Sequence, residues 1–311
     1  MKITNLFTNP KHYLLLMLVI GGSLYAQQDP QYTQYMYNTM SINPAYTGSP
    51  GTLEANLLYR SQWVGVEGAP ETQAFGIHSP LANRNIGLGL NIVNDKIGPS
   101  NELFFSGNFS YTIQATYNTK LAFGVKAGLK VLDIDFSKGI FYDPGDILLT
   151  NNIQNQVLPT VGAGVYYFSD KWYVGFSVPN FFMNEYYDDV EEAVMSDRLH
   201  YYLMGGYVFN ISDNLKFKPA VLAKAVSGAP ISFDISSNFL IQEIFTVGVS
   251  YRYEDAINVL AGIQVFDSFF VGYSYDYSLT DFQKYNDGSH EIILRYHIPE
   301  KSSRIKSPRF F

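Results

Sequence analysis

The chain has 311 residues, 47% of them hydrophobic and 16% aromatic, with 25 Tyr, 23 Phe, no Cys and a formal net charge of −7. The acidic balance argues against nucleic acid as a partner, because a phosphate backbone is held by clustered Lys and Arg. Without cysteine there is no disulfide, no thiol for lipid attachment and no thiolate zinc site, so an exported chain of this size depends on packing alone.

Lys2 and Lys11 flank the start, Tyr13 to Ile20 is an apolar run, and Gly21, Gly22, Ser23 and Ala26 supply small residues before Gln27. This is the pattern of a cleaved secretory signal peptide over residues 1–26. The run falls well short of the roughly 20 apolar residues that a spanning helix needs. Leu24 stands where a small residue is usual before the cut. The leader holds two lysines and no acid, so the mature chain carries −9 rather than −7.

Residues 27–52 follow as an N-terminal periplasmic or plug segment. Asp29 is a good N-cap and Pro30 suits the first helical position. Tyr32, Tyr35, Met36 and Met40 then recur at helical spacing before the breakers Asn43, Pro44 and Gly48. The spacing predicts a short helix with one apolar face. A helix of about ten residues is marginal alone in water, so its tyrosines and methionines need a surface to cover. Its place between leader and first strand puts it at the periplasmic mouth. There it plugs the lumen, closes it as a lid, or docks on a periplasmic machine.

From Leu53 the pattern changes to apolar residues alternating with polar or small ones, in segments of the length that crosses a membrane as a barrel strand. Fourteen such segments are read: Leu53–Gln62, Thr72–Ser79, Ile86–Asn94, Glu102–Ile113, Leu121–Leu132, Leu158–Phe168, Trp172–Val178, Leu199–Phe209, Leu215–Val226, Ile231–Leu240, Phe245–Tyr253, Ile257–Phe266, Phe269–Tyr277 and Ser289–His297. The prediction is all-β: one antiparallel transmembrane β-barrel of about 14 strands over residues 53–298, followed by a C-terminal periplasmic tail, 299–311. Outer-membrane lipid is the expected surroundings, with the aromatics forming girdles at both interfaces.

Charge parity supports this, because residues an even number apart on a strand share a face. Glu54 agrees with Arg60, Lys126 with Lys130, Lys216 with Lys218 and Lys224, and Glu291 with Arg295. A charge on the lipid face costs roughly 2–4 kcal/mol near the midplane, so the charged face is the lumen. Asp234, Arg252 and Asp276 join it, giving eight basic groups against four acids. With both termini in the periplasm, every even-to-odd connection is short, from Leu81–Asn85 to Asp267–Ser268. The long ones, Asp133–Val157, Pro179–Arg198 and Ser278–Gly288, all fall on the other side. That is the asymmetry of outer-membrane barrels.

The mature start QQDPQYTQYMYNTMSINPAYTGS, Gln27 to Ser49, resembles the opening signature of the PorP/SprF family of type IX secretion system outer-membrane proteins. The resemblance runs on through YRSQW (Tyr59–Trp63), the P-x-T segment at Pro70–Thr72, LDIDFSKG (Leu132–Gly139), DPGD (Asp143–Asp146), HEIILRYHI and the terminal SPRFF. It implies an accessory component of protein export, and in some relatives of gliding motility. The implied partners are type IX secretion components and a cognate secreted protein whose C-terminal sorting domain directs it to the surface. It implies no catalytic residue and no cofactor.

Other chemistry finds little footing. His78–Ser79 is the nearest approach to a nucleophile pair, but neighbours on a strand face opposite sides, so no enzyme is expected. Asp133, Asp135, Ser137 and Gly139 have a passing likeness to a calcium loop, but the glycine is one place late and the twelfth position is Pro144, so no metal is expected. Asp188, Asp189, Glu191, Glu192 and Asp197 read as a solvated loop. The alternative function is a general porin or small-solute channel, its anion preference set by the basic lumen.

Overall fold

Alternation drives the architecture. A strand with one lipid-facing and one inward face satisfies its backbone only when its ladder closes on itself, because an open edge in hydrocarbon leaves amides and carbonyls unpaired. The computed structural model describes residues 31–82, 85–138, 152–182, 198–226 and 229–298. The leader, Asp29 and Pro30, DPGD, the acidic stretch 188–197 and the C-terminal tail lie outside the described residues.

The strands are β1 (Glu54–Ser61), β2 (Glu71–Pro80), β3 (Ile86–Ile97), β4 (Ser100–Thr116), β5 (Thr119–Ile134), β6 (Ile153–Phe168), β7 (Trp172–Val178), β8 (His200–Tyr207), β9 (Phe209–Ser212), β10 (Leu215–Val226), β11 (Ser232–Ile241), β12 (Phe245–Arg252), β13 (Ala256–Phe266), β14 (Phe269–Ser278) and β15 (Ser289–His297). Each pairs antiparallel with its neighbours, and β8 and β9 both pair with β10, interrupted at Val208. They make one stave, so the barrel has 14. It closes where β1 meets β15 from Glu54 opposite His297 to Ser61 opposite His290.

The expected segments coincide with these staves, but β4, β5 and β6 are longer than expected, at 17, 16 and 16 residues. Their ends reach past the hydrocarbon, where the outward face is no longer held apolar. Asn155 takes a positive φ of 52° at the register shift between β5 and β6, and its N–H donates to Asp133 Oδ1 at 2.7 Å. Asp135 accepts from the Ser137 N–H and hydroxyl. These acids thus clip the base of a loop.

The turns from β2 to β3, β4 to β5, β6 to β7, β9 to β10, β11 to β12 and β13 to β14 define a short-turn end, the periplasmic one by the rule of this class. The opposite, extracellular end carries the long connections, although β3–β4 and β12–β13 also turn tightly there. Outward side chains such as Leu57, Phe123, Val125, Leu203, Val249 and Val259 are exposed, as a lipid face requires. No helix among the described residues is long and apolar enough to cross a membrane.

The main buried cluster is inside the barrel. Inward-facing Leu58, Tyr166, Tyr202, Met204, Leu222, Phe270 and Ile293 pack against Tyr35, Tyr37, Met40 and Tyr46 of the N-terminal segment. At Gly124 on β5 the approach is so close that a Cβ would fall on the backbone of Pro44 and Ala45. Gly124→Val therefore forces backbone apart rather than a flexible side chain. We expect it to destabilise the filled barrel by about 1–3 kcal/mol, the usual range for overpacking. The readout is the temperature at which the purified protein changes from folded to unfolded gel mobility; no change would mean that the segment yields freely.

Candidate functional site

Inside the barrel, the N-terminal segment forms three short helical turns at Tyr35–Tyr37, Thr39–Ile42 and Pro44–Tyr46. A single amphipathic helix does not form. Tyr32, Tyr35 and Met40 are buried, and Met36 packs against the same cluster while half-buried. The polar residues between them are buried too: Gln34, Asn38 and Asn43 have no exposed surface. The segment is wrapped on all sides, which removes the reason for a one-sided apolar stripe.

The polar groups are met by the strands. Asn43 caps its own turn by accepting from Ala45 N–H at 3.0 Å, donates to the Val165 carbonyl at 3.1 Å, and is followed by Pro44, buried at the start of the turn. Asn56 donates to the Tyr37 carbonyl at 3.0 Å, Ser177 to Ile42 at 2.9 Å and Ser110 to Thr47 at 2.6 Å. His78 faces inward, accepting from the Gly48 N–H at 3.3 Å on Nδ1, with Nε2 3.7 Å from Glu54. Ser79 instead donates to the Pro80 carbonyl.

The upper part of the segment is held by charge. Glu291 is fully buried and accepts the Thr33 N–H at 3.0 Å and the Gln34 N–H at 2.8 Å. Arg60 sits 2.7 Å from Asp276 and 3.3 Å from Glu291, and its guanidinium also donates to the Thr33 hydroxyl at 3.0 Å. That hydroxyl donates to Asp276 at 2.6 Å. Beside this group, Gln31 donates to Asp234 at 3.1 Å, and Asp234 pairs with Arg252 at 3.0 Å.

These contacts give the segment a direction. Ser232, Asp234, Asp276 and Glu291 lie at the extracellular ends of β11, β14 and β15, whereas Gly48 and Thr47 meet His78 and Ser110 toward the short-turn end. The sequence order suggested a periplasmic mouth for the whole segment. Residues 31–34 instead lie near the extracellular end, and the chain descends through the lumen to enter β1.

The other charged residues also face inward. Arg295 lies over the rings of Tyr37 and Phe270, 5.0 and 5.4 Å from their centroids. Lys130 is buried 3.7 Å from Glu102, and Lys218 and Lys224 are buried on the same face of β10. Lys126 is half-buried, and Lys216 pairs with Glu243 at the periplasmic rim at 2.6 Å. Four acids escaped the sequence reading: Asp95, which accepts from Thr72 at 2.5 Å, Glu102, Asp255, which pairs with Arg252 at 3.2 Å, and Glu243. They offset the apparent basic excess. Parity would have found Asp95 and Glu102, which share the inward side with Val93 and Ser106.

No group of three or more potential metal ligands occurs among the described residues. The arrangement is chemically a set of ion pairs and amide contacts holding a peptide inside a barrel.

Among solved structures, the chain is similar to the CymD monoaromatic hydrocarbon channel at 10% identity, covering 91% of this chain and 96% of that one with a TM-score of 0.48. It is similar to a Pseudomonas aeruginosa FadL homologue at 12% identity, covering 87% and 94% with a TM-score of 0.45. The Acinetobacter baumannii outer membrane protein Omp33 aligns at 9% identity over 79% and 99%, also at 0.45. Likenesses this distant carry no argument about transport. No curated protein matches by sequence. A family model described as "Type IX secretion system membrane protein PorP/SprF" matches residues 24–296.

Proposed function

We propose that this chain, which belongs to the PorP/SprF family of type IX secretion system membrane proteins, is a closed outer-membrane scaffold supporting export or surface attachment of one particular secreted protein. On this reading the leader is cleaved near Ala26, residues 27–52 act as the plug, and the cognate protein brings a C-terminal sorting domain. Gliding motility is one process such a scaffold would serve.

The observation that carries the reading is the filled lumen. A general porin needs a continuous water path, yet Tyr35, Tyr37, Met40 and Tyr46 are all at most 5% exposed within it. The interior is packed like a protein core, and that suits a rigid platform whose partners meet its rims and loops.

The test is quantitative surface proteomics after deleting the gene. One secreted protein, or a small set sharing one type of C-terminal domain, should leave the cell surface and return on complementation, and it should co-purify with the tagged barrel from outer membranes. Uptake defects for small solutes with every surface protein in place would sink the scaffold reading.

A further inference from the structure

Beside the closing seam, the outward side chains of β1, β2 and β3 form three layers toward the extracellular end. Leu57, Phe75 and Ile92 stand opposite one another as an apolar layer, Tyr59, Gln73 and Asn94 come next, and Ser61, Glu71 and Lys96 are above them. On a tilted strand each layer rises about 5 Å over the last. The hydrocarbon therefore ends near Leu57, and the top layer lies at the height of the lipid headgroups. A cavity of about 250 Å³ opens there, between the top layer and the β1–β2 loop, residues 62–70. Of the strand ends, the outward Ser61, Glu71 and Lys96 line it, whereas the inward Arg60, Thr72 and Asp95 do not. The cavity is thus on the flank that meets lipid, outside the lumen.

The loop that walls it is held before any ligand arrives. Trp63 has a φ of 52°, a left-handed backbone that is costly for a bulky residue, and its N–H donates to Ser289 Oγ at 3.1 Å. Val64 donates to the Gly288 carbonyl at 2.9 Å and accepts from the Asp287 N–H at 2.8 Å, which ties the loop to the β14–β15 connection. On its other side the Gly98 N–H reaches the Gly68 carbonyl at 2.8 Å. The rings of Trp63 and Phe282 meet edge-on with centroids 5.1 Å apart. Within this frame Glu71 and Lys96 face each other across β2 and β3, yet neither joins an ion pair among the described residues.

We propose that this cavity binds the headgroup of a membrane lipid that carries both a phosphate and an ammonium, the phosphate toward Lys96 and the ammonium toward Glu71. The inference rests on the outer-membrane placement above and is independent of the export role. Two opposite charges side by side select the ligand. A neutral sugar would leave both without a counter-charge, and a headgroup with a phosphate alone would meet Glu71 as a like charge. Ser61 and Gln62 add neutral hydrogen-bonding groups to the wall, and Trp63 is a residue type at home at this depth. The apolar layer of Leu57, Phe75 and Ile92 lies below to receive acyl chains, which favours a lipid over a soluble zwitterion.

The test is native mass spectrometry of the purified full chain in detergent. It compares dilauroyl phosphatidylethanolamine, which has both charges, with dilauroyl phosphatidylglycerol, which has the phosphate alone. The first should bind at least about threefold more tightly, the scale of exposed charge pairs, and the preference should shrink as salt is raised. Glu71→Lys should reverse the preference, and Lys96→Glu should weaken binding of both lipids. The exchange of the two, Glu71→Lys with Lys96→Glu, should restore the preference for the ethanolamine lipid, because the cavity again holds one charge of each sign. All three variants should keep the heat-shifted gel mobility of the folded barrel. Equal binding of the two lipids, a preference unmoved by Glu71→Lys, or an exchange that restores nothing would overturn the site. Displacement of the lipid by an equal concentration of glycerophosphoethanolamine would overturn the lipid as its occupant. The assay contains no export machinery, so its failure leaves the scaffold role to stand on surface display, and loss of that role leaves the lipid preference to stand on this assay.

Discussion

A chain lacking residues 27–49 behind an intact leader should conduct ions steadily in planar bilayers, where the full-length protein should stay silent. Ladder pairing begins at Glu54, so the deletion removes no inter-strand hydrogen bond and the barrel still closes at β1 and β15. What it removes is the inner half of the main buried cluster, Tyr32 through Tyr46. The strands keep their inward Arg, Lys, Asp and Glu, and these charges become solvated once the segment is gone. Water and ions then have a path. In cells, the same strain should become sensitive to antibiotics that the outer membrane normally excludes. Silent bilayers with a properly assembled deletion variant would mean that the strands alone close the lumen, and the segment would not be the seal.

The periodicity of the strands was legible because lipid imposes it. Residues 86–92 and 215–219 alternate apolar residues with small or polar ones, and their staves fall where expected. Legibility fails where that constraint ends. Beyond the bilayer, Asn101 at one end of β4 and Gln114 at the other extend the strand with no apolar face to announce it. The N-terminal segment was harder for a different reason. Its tyrosines mark a buried stretch, but a stretch buried on every side has no stripe, and Asn43 with Pro44 ends each attempt at a longer helix. Its direction was hidden too. Thr33 and Gln34 look unremarkable until Glu291, 257 residues from Gln34, is seen to accept both their amides. Contacts of that separation leave no local trace in a sequence.

That carboxylate carries the second large effect. Glu291→Ala should cost the filled barrel about 3–5 kcal/mol, the range for removing one partner from a buried ion pair. Two consequences add. Arg60, 2% exposed, keeps only Asp276 to balance a guanidinium that bridged both acids, and the Thr33 and Gln34 amides lose their acceptor inside the barrel. An orphaned buried donor alone costs about 1–3 kcal/mol. The damage falls on the closing seam, since Arg60 and Glu291 are direct partners across β1 and β15. Glu291→Gln retains one carbonyl oxygen and should lie between the variant and the wild type. Conversion temperature on gels measures the loss, and steady current in bilayers reports whether the segment has let go. If only the temperature falls, the carboxylate supports the seam and the segment stays seated by its tyrosines. If current appears in Glu291→Ala and is weaker in Glu291→Gln, the two amides are the anchor. A Glu291→Ala protein that converts at the wild-type temperature and stays silent would refute both roles, and the buried charge would be without the energetic weight assigned to it.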